Sequence, residues 1–151
     1  MPEIDKPGYT LAGVYRRTAE ERSDQELAWR RPDQAFFAAG ACHILAWEFV
    51  ARHPSYRIAG LRKVGEKSPS HVIATDGTWA FDHDGWTREA EILAATAAYE
   101  SDGGWELLPI TTDLAGFCAD HWHRMPKNYH EDPRPRARAY LARFPSSPDP
   151  D

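Results

Sequence analysis

Apolar residues are densest between Gln34 and Val50, where the run QAFFAAGACHILAWEFV carries few polar side chains. Its Ala, Leu and Glu content favours helix, and a helix apolar on most sides is a buried one. Gly40 interrupts the run. The pattern therefore predicts a short turn of helix, a break at Ala39-Gly40, and a central helix from about Cys42 to Arg52, ended by His53-Pro54. Upstream, Arg31-Pro32-Asp33 is a break and a helix start. Thr18 to Ala28 is polar and reads as a short helix, and residues 1 to 14 read as an irregular arm.

Downstream the period changes. Tyr56 to Leu61 reads as a strand, and Lys63 to Ser70 as a polar loop. In SHVIATDGTWAFDHDG two short strands flank Asp76-Gly77. An Asp-Gly pair in that setting signals a hairpin, because a type I′ turn needs φ > 0 at both central positions. Asp84-Gly85 marks a second turn, Thr87 to Tyr99 a helix, and Glu106 to Ile110 an edge strand. Thr112 to Trp122 and Arg134 to Arg143 read as the last two helices. Helices, then strands, then helices again make an α+β fold, with the central helix packed on an antiparallel sheet. No internal repeat or linker is visible, so residues 1–144 read as one domain and residues 145–151, PSSPDPD, as a flexible tail.

The hairpin has a chemical consequence. With Asp76 and Gly77 as a two-residue loop, Ala74 faces Trp79, Val72 faces Phe81, and His71 faces Asp82. Opposed residues share a face of the sheet with Cβ atoms about 4.5–5.5 Å apart. Local register alone thus sets an imidazole beside a carboxylate, and a slip of one residue would part them. Such a pair needs a group to serve, and Cys42 is the candidate nucleophile. It follows Gly40-Ala41 and opens the apolar helix. A helix N-terminus and a neighbouring imidazolium both lower a thiol's pKa, and free backbone N–H groups there can steady an oxyanion. Cys42, His71 and Asp82 then read as nucleophile, base and orienting acid. The competing readings are a buried core cysteine, a histidine at a strand edge, and an aspartate that ends a strand.

Composition narrows the partners. The chain has 151 residues, 42% of them apolar, which is enough for one hydrophobic core without staples. Its formal charge of −5 gives no general attraction to nucleic acid. Arg134, Arg136, Arg138 and Arg143 form the one basic cluster, read as a solvated helix face. No apolar run approaches the ~20 residues of a membrane helix, and no basic segment followed by an apolar one marks a secretory signal. With two cysteines, a disulfide framework is excluded and a reducing, cytoplasmic setting is expected. Oligomeric state is left open.

The run GACHILAWEF, then HVIA, then WAFDHDG, resembles the papain-like superfamily, especially its transglutaminase-like branch. It is also similar to small bacterial proteins of unassigned function with a Gly-x-Cys-His helix start and a later His-Val strand. The resemblance covers residues 34–86 and implies the order Cys42, His71, Asp82. It implies a small papain-like or transglutaminase-like fold and a thiol-dependent hydrolase or acyltransferase. The substrate would be an amide bond of a protein, a peptide or a small molecule, with no organic cofactor. The alternative is a catalytically inactive scaffold that acts as a protein-binding module. Gln34 is the available oxyanion donor, eight residues before the cysteine, and Ile73 stands where the branch often has an aromatic. His43 points about 100° away from Cys42 around the helix, which suits it poorly as the base. A metal site has weaker support: FCADHWH brings only Cys118 and His121 to one helix face, and neither CxxC nor HExxH occurs. The segment from His121 reads as a helix end that packs Trp122 and stops near Pro126, with Tyr129, His130 and Asp132-Pro133 as a loop whose place relative to the cleft is left open.

Overall fold

A computed structural model describes residues 8–101 and 103–144. The predicted Pro145–Asp151 tail and the first seven residues of the arm lie outside the described residues. Helices come first: α1 (Ala19–Ser23), α2 (Gln25–Trp29), α3 (Asp33–Ala38) and α4 (Cys42–Arg52). Local chemistry explains the starts. Thr18 and Glu21 form a capping box on α1, and Asp24 accepts the Glu26 and Leu27 amides to open α2. That extra cap splits the single helix expected over Thr18 to Ala28. The break before α4 falls where expected, at Gly40 with φ +114°.

Strands β1 (Arg57–Lys63), β2 (His71–Thr75), β3 (Trp79–Asp82) and β4 (Gly85–Arg88) follow, then α5 (Glu89–Tyr99) and β5 (Trp105–Ile110). Helices α6 (Leu114–His121) and α7 (Arg134–Leu141) close the chain. The five strands form one antiparallel sheet in the order β4-β3-β2-β1-β5. Strand β4 was not anticipated. Gly-Trp-Thr-Arg is too short to show a period, yet the two-residue His83-Asp84 loop returns it onto β3, with Asp82 paired to Gly85.

Helix α4 lies on one sheet face and buries Ile44, Leu45, Ala46 and Phe49. Phe49 stacks on Phe81 with centroids 4.7 Å apart and meets Trp86 edge-on at 5.4 Å. Helix α7 packs on α4 and contributes Ala137 and Tyr140 to the same core. On the other face, Ile73, Ala59, Leu61 and Ala80 pack with Ile92 of α5, with Tyr9 and Leu93 beside them. Helices therefore cover both faces of the sheet. Of the basic cluster Arg134, Arg138 and Arg143 are exposed as expected, and Arg136 departs from the solvated face. Arg136 is half-buried: it donates to the carbonyls of Trp29 and Arg31 at 2.8 and 2.7 Å, pairs with Asp33 at 2.7 Å, and stacks over Phe36 at 4.1 Å.

The hairpin register also differs from expectation. Thr75 pairs with Ala80 and Ala74 with Phe81, a shift of two residues. The reason is Asp76, whose Oδ1 accepts both the Thr78 and Trp79 amides at 2.9 Å and widens the connection to residues 76–79. A shift of two preserves facing, so His71 and Asp82 stay on one side of the sheet as diagonal neighbours.

Candidate functional site

His71 and Asp82 meet as the alternation of β2 and β3 requires. Both are buried, at 3% and 2% exposure, and Nε2 of His71 lies 2.9 Å from Oδ2 of Asp82. The same oxygen accepts the Tyr9 hydroxyl at 2.5 Å and lies 3.4 Å from Nδ1 of His83, while Oδ1 accepts the Asp84 amide at 2.9 Å. His83 is fully buried, and its Nε2 donates to the carbonyl of Thr10 at 2.8 Å. The Thr10 amide in turn donates to Asp84 at 3.0 Å. Residues Tyr9 and Thr10 thus form a strap across the β3–β4 turn. Sequence reasoning took Asp82 as a carboxylate with one partner and missed Tyr9 and His83. The signal available was the polar run DHDG at residues 82–85, which does not say what packs on it.

Charge settles on this pair. Burial alone would lower the His71 pKa, but Asp82 and the nearby Cys42 overcome it and push the ring up to about 10. Burial would likewise raise Asp82, but His83 and His71 hold its carboxyl well below the usual range. At neutral pH the pair is an imidazolium and a carboxylate. Nδ1 of His71 is buried and has no hydrogen-bond partner.

Cys42 borders His71 but is not a member of the cluster that converges on Asp82. It opens α4 and packs with Ala46, Ile58, Val72 and Phe117 on the α4 side of the sheet, whereas His71 shares its face with Leu61 and Ile73. Burial raises the thiol's pKa, but the imidazoles of His43 and His71 bordering it bring it well below its ordinary value. No hydrogen bond of ordinary geometry joins Sγ to His71, whose Nδ1 is left without a partner. The buried cluster around Asp82 is His71, Asp82 and His83, and it contains no cysteine. A triad needs hydrogen bonds running from nucleophile through base to acid; here they converge on Asp82 from Tyr9 and His71, and the third member is a histidine. The Cys42–His71–Asp82 catalytic triad is accordingly corrected. With it go the cysteine-protease reading, the thiol-dependent hydrolase or acyltransferase, and the amide hydrolase or transamidase.

The other candidates find structural roles. Gln34 accepts the Tyr15 hydroxyl at 2.9 Å and donates to Asp84 at 3.0 Å, so it ties the arm to the β3–β4 turn instead of reaching over Cys42. His43 is fully buried, its Nε2 2.8 Å from the carbonyl of Arg124 and its ring edge-on to His123. Burial would lower its pKa, but the sulfurs of Cys118 and Cys42 help push it up to about 9. Both cysteines are free thiols, and Cys118 donates weakly to the carbonyl of Arg124 at 3.5 Å. Metal binding has one geometric candidate among the described residues. His71, Asp82 and His83 each offer a ligand atom within 4.8 Å of the others. A metal there would displace the bonds into Oδ2 of Asp82, the most heavily engaged atom of the cluster.

Above Cys42 and His71 lies an open cleft of about 770 Å³. Its cationic lining comprises Arg16, Arg17, Arg22, Lys63 and Arg124. Glu66 and Glu100 are its only carboxylates among the described residues. Tyr129 of the 122–130 loop donates to the carbonyl of Gly40, so this loop does reach the cleft. Trp122 does not pack as expected. It ends α6 in a left-handed conformation, φ +57°, and stands 93% exposed at the cleft. Tyr99, 58% exposed, lines the same cleft.

No helix among the described residues is long and apolar enough to cross a membrane. No protein-family model, curated protein or solved structure matches the chain. What the residues establish is therefore an α+β fold with helices packed on a five-stranded antiparallel sheet, and an open cleft above a buried His-Asp-His cluster.

Proposed function

We propose that this chain is a protein-binding module without turnover, which holds a peptide segment of its partner in the cleft above Cys42 and His71. The observation that carries this reading is Trp122. A tryptophan with 93% exposure is costly in water, and positive φ is uncommon for any residue but glycine. Exposed aromatics beside a concave surface anchor protein interfaces. The scaffold we assign is papain-like or transglutaminase-like. Support comes from the order of a helix-opening cysteine, a strand histidine and a later aspartate, and from the His71–Asp82 bond. The two free thiols fit a reducing, cytoplasmic setting.

The test is selection of a random peptide library on the full chain. Enriched peptides are expected to bind, to be recovered intact, and to lose about 2 kcal/mol, roughly thirtyfold in affinity, on Trp122→Ala. Peptides that bind Trp122→Ala and Tyr99→Ala as tightly as the parent would refute the cleft as the docking site. Recovery of cleaved or acylated peptides would refute the absence of turnover.

A further inference from the structure

We infer that the segment held in this cleft is acidic, and that its carboxylates are received by Arg17, Arg22 and Arg124 at the mouth beside Gly40. This rests on the cleft being a binding site and names the chemistry of what it binds. The chain as a whole has a formal charge of −5, yet the described cationic residues of the cleft outnumber its carboxylates. A concave surface with an excess of one sign, set in low-dielectric walls, concentrates counter-charged ligands even on a protein of the opposite net charge.

Two of the three arginine side chains, Arg22 and Arg124, are held in place by neutral groups. Nη1 of Arg22 donates to the carbonyl of Arg17 at 3.0 Å, and Nη2 of Arg124 donates to the carbonyl of Arg22 at 3.3 Å. With its amide turned toward Arg124, Gln25 accepts from Nε at 3.1 Å and Nη2 at 2.9 Å. None of the three forms an ion pair among the described residues. The carboxylate nearest in sequence, Glu21, is committed to Arg31 at 3.3 Å and to its own capping box. Burial, then Arg124, Arg31 and Arg22, push the Arg17 pKa down, with Tyr129 opposing. Like charges gathered with no carboxylate in ion-pair contact cost stability, and an incoming carboxylate relieves that cost. Gly40 completes the mouth. A Cβ there would meet the Arg17 guanidinium at 3.4–3.5 Å, so glycine leaves the planar fork its approach to the backbone. Guanidinium forks match carboxylates bidentately, which lysines do not.

The experiment measures binding of fluorescein-labelled hexaglutamate to the full chain by anisotropy, with hexaglutamine and hexalysine as comparators. Hexaglutamate is expected to bind, to weaken as salt is raised, and to bind about tenfold more weakly to Arg17→Gln and to Arg124→Gln. Arg17→Lys is expected to recover only part of the loss, because charge returns without the fork. Arg138→Gln, on α7 and paired with Glu48, is expected to leave binding unchanged. Matched unfolding midpoints confirm that each variant is folded. Equal binding of hexaglutamine and hexaglutamate, still lost on Trp122→Ala, would overturn the acidic assignment and leave the binding module standing. Displacement of hexaglutamate by inorganic phosphate at concentrations where glutamate has no effect would overturn carboxylate in favour of phosphate. If neither hexaglutamate nor any library peptide binds, both readings fall.

Discussion

Asp82→Asn isolates the buried ion pair. In the parent, Oδ2 accepts the Tyr9 hydroxyl at 2.5 Å and His71 Nε2 at 2.9 Å, and Oδ1 accepts the Asp84 amide at 2.9 Å. An asparagine has one acceptor oxygen and one donor NH₂. Whichever way it turns, the NH₂ faces at least one N–H or O–H, and the imidazolium loses its counter-charge. Removing one partner of a buried pair costs about 3–5 kcal/mol, against a total stability of roughly 5–15 kcal/mol for a typical domain. For a chain of this size the Tm should fall by ~6–20 °C. The pH dependence carries the sharper signature. The His71 pKa is raised to about 10 from 6.5, so its contribution is complete below the unfolded value and is lost as pH rises through about 10. The Asp82 pKa is lowered, so its contribution is present above the unfolded 3.8 and is lost as pH falls through its folded value. The parent should be most stable between these unfolded values and should weaken steadily on the alkaline side. Asp82→Asn should flatten that alkaline slope. Urea unfolding followed by circular dichroism across pH measures both effects, and the His71 ring resonances report its titration directly. A loss below about 1 kcal/mol, or His71 titrating at its ordinary value in the parent, would refute the buried ion pair.

Two further substitutions probe packing. In Gly60→Ala the new Cβ would lie 2.6 and 2.8 Å from Cβ and Cγ of Pro69, a buried and rigid ring, so a loss of about 1–3 kcal/mol is expected in urea unfolding; a neutral result would show that the 64–70 loop yields freely. Arg136→Lys removes a fork that bridges Asp33 and two carbonyls and stacks on Phe36, and should cost about 1.5–3 kcal/mol. A double-mutant cycle with Asp33→Ala should show coupling between the two, and additive losses would show that stacking, not the ion pair, carries the effect.

The elements most legible in the sequence are those whose signals are local and redundant. Helix α4 announced itself through a long apolar run with Gly40 before it and His53-Pro54 after it, and its bounds are those expected. The His71–Asp82 meeting was also readable, because alternation along a strand survives a register shift of two. The register itself was misjudged, since Asp-Gly suggests a tight turn while the Asp76 carboxylate caps two amides and opens a wider one. The triad was misread because of how the bonds run. The helix-opening cysteine does border the strand histidine, but Nδ1 of His71 has no hydrogen-bond partner, and the bonds of the cluster converge on Asp82 from Tyr9 and His71. The arginine cluster was invisible because its members come from two segments about a hundred residues apart, joined by the Arg124–Arg22 bond.

The strap has a consequence for synthesis. Tyr9 and Thr10 leave the ribosome early, but their partners Asp82 and His83 lie 73 residues further along. At ~5–20 residues per second, that separation is a wait of roughly 4–15 s during which Tyr9 and Thr10 lack these partners. Arg136 meets Asp33 across an even longer interval. The nascent chain can therefore settle α4 against the first two strands on its own, but the buried ionic pair is sealed only after the β3–β4 turn emerges, and the core on the α4 face is closed by the last helix made. Pausing before α7 should leave a chain with its sheet formed and the α3–α4 edge still open to capture by chaperones.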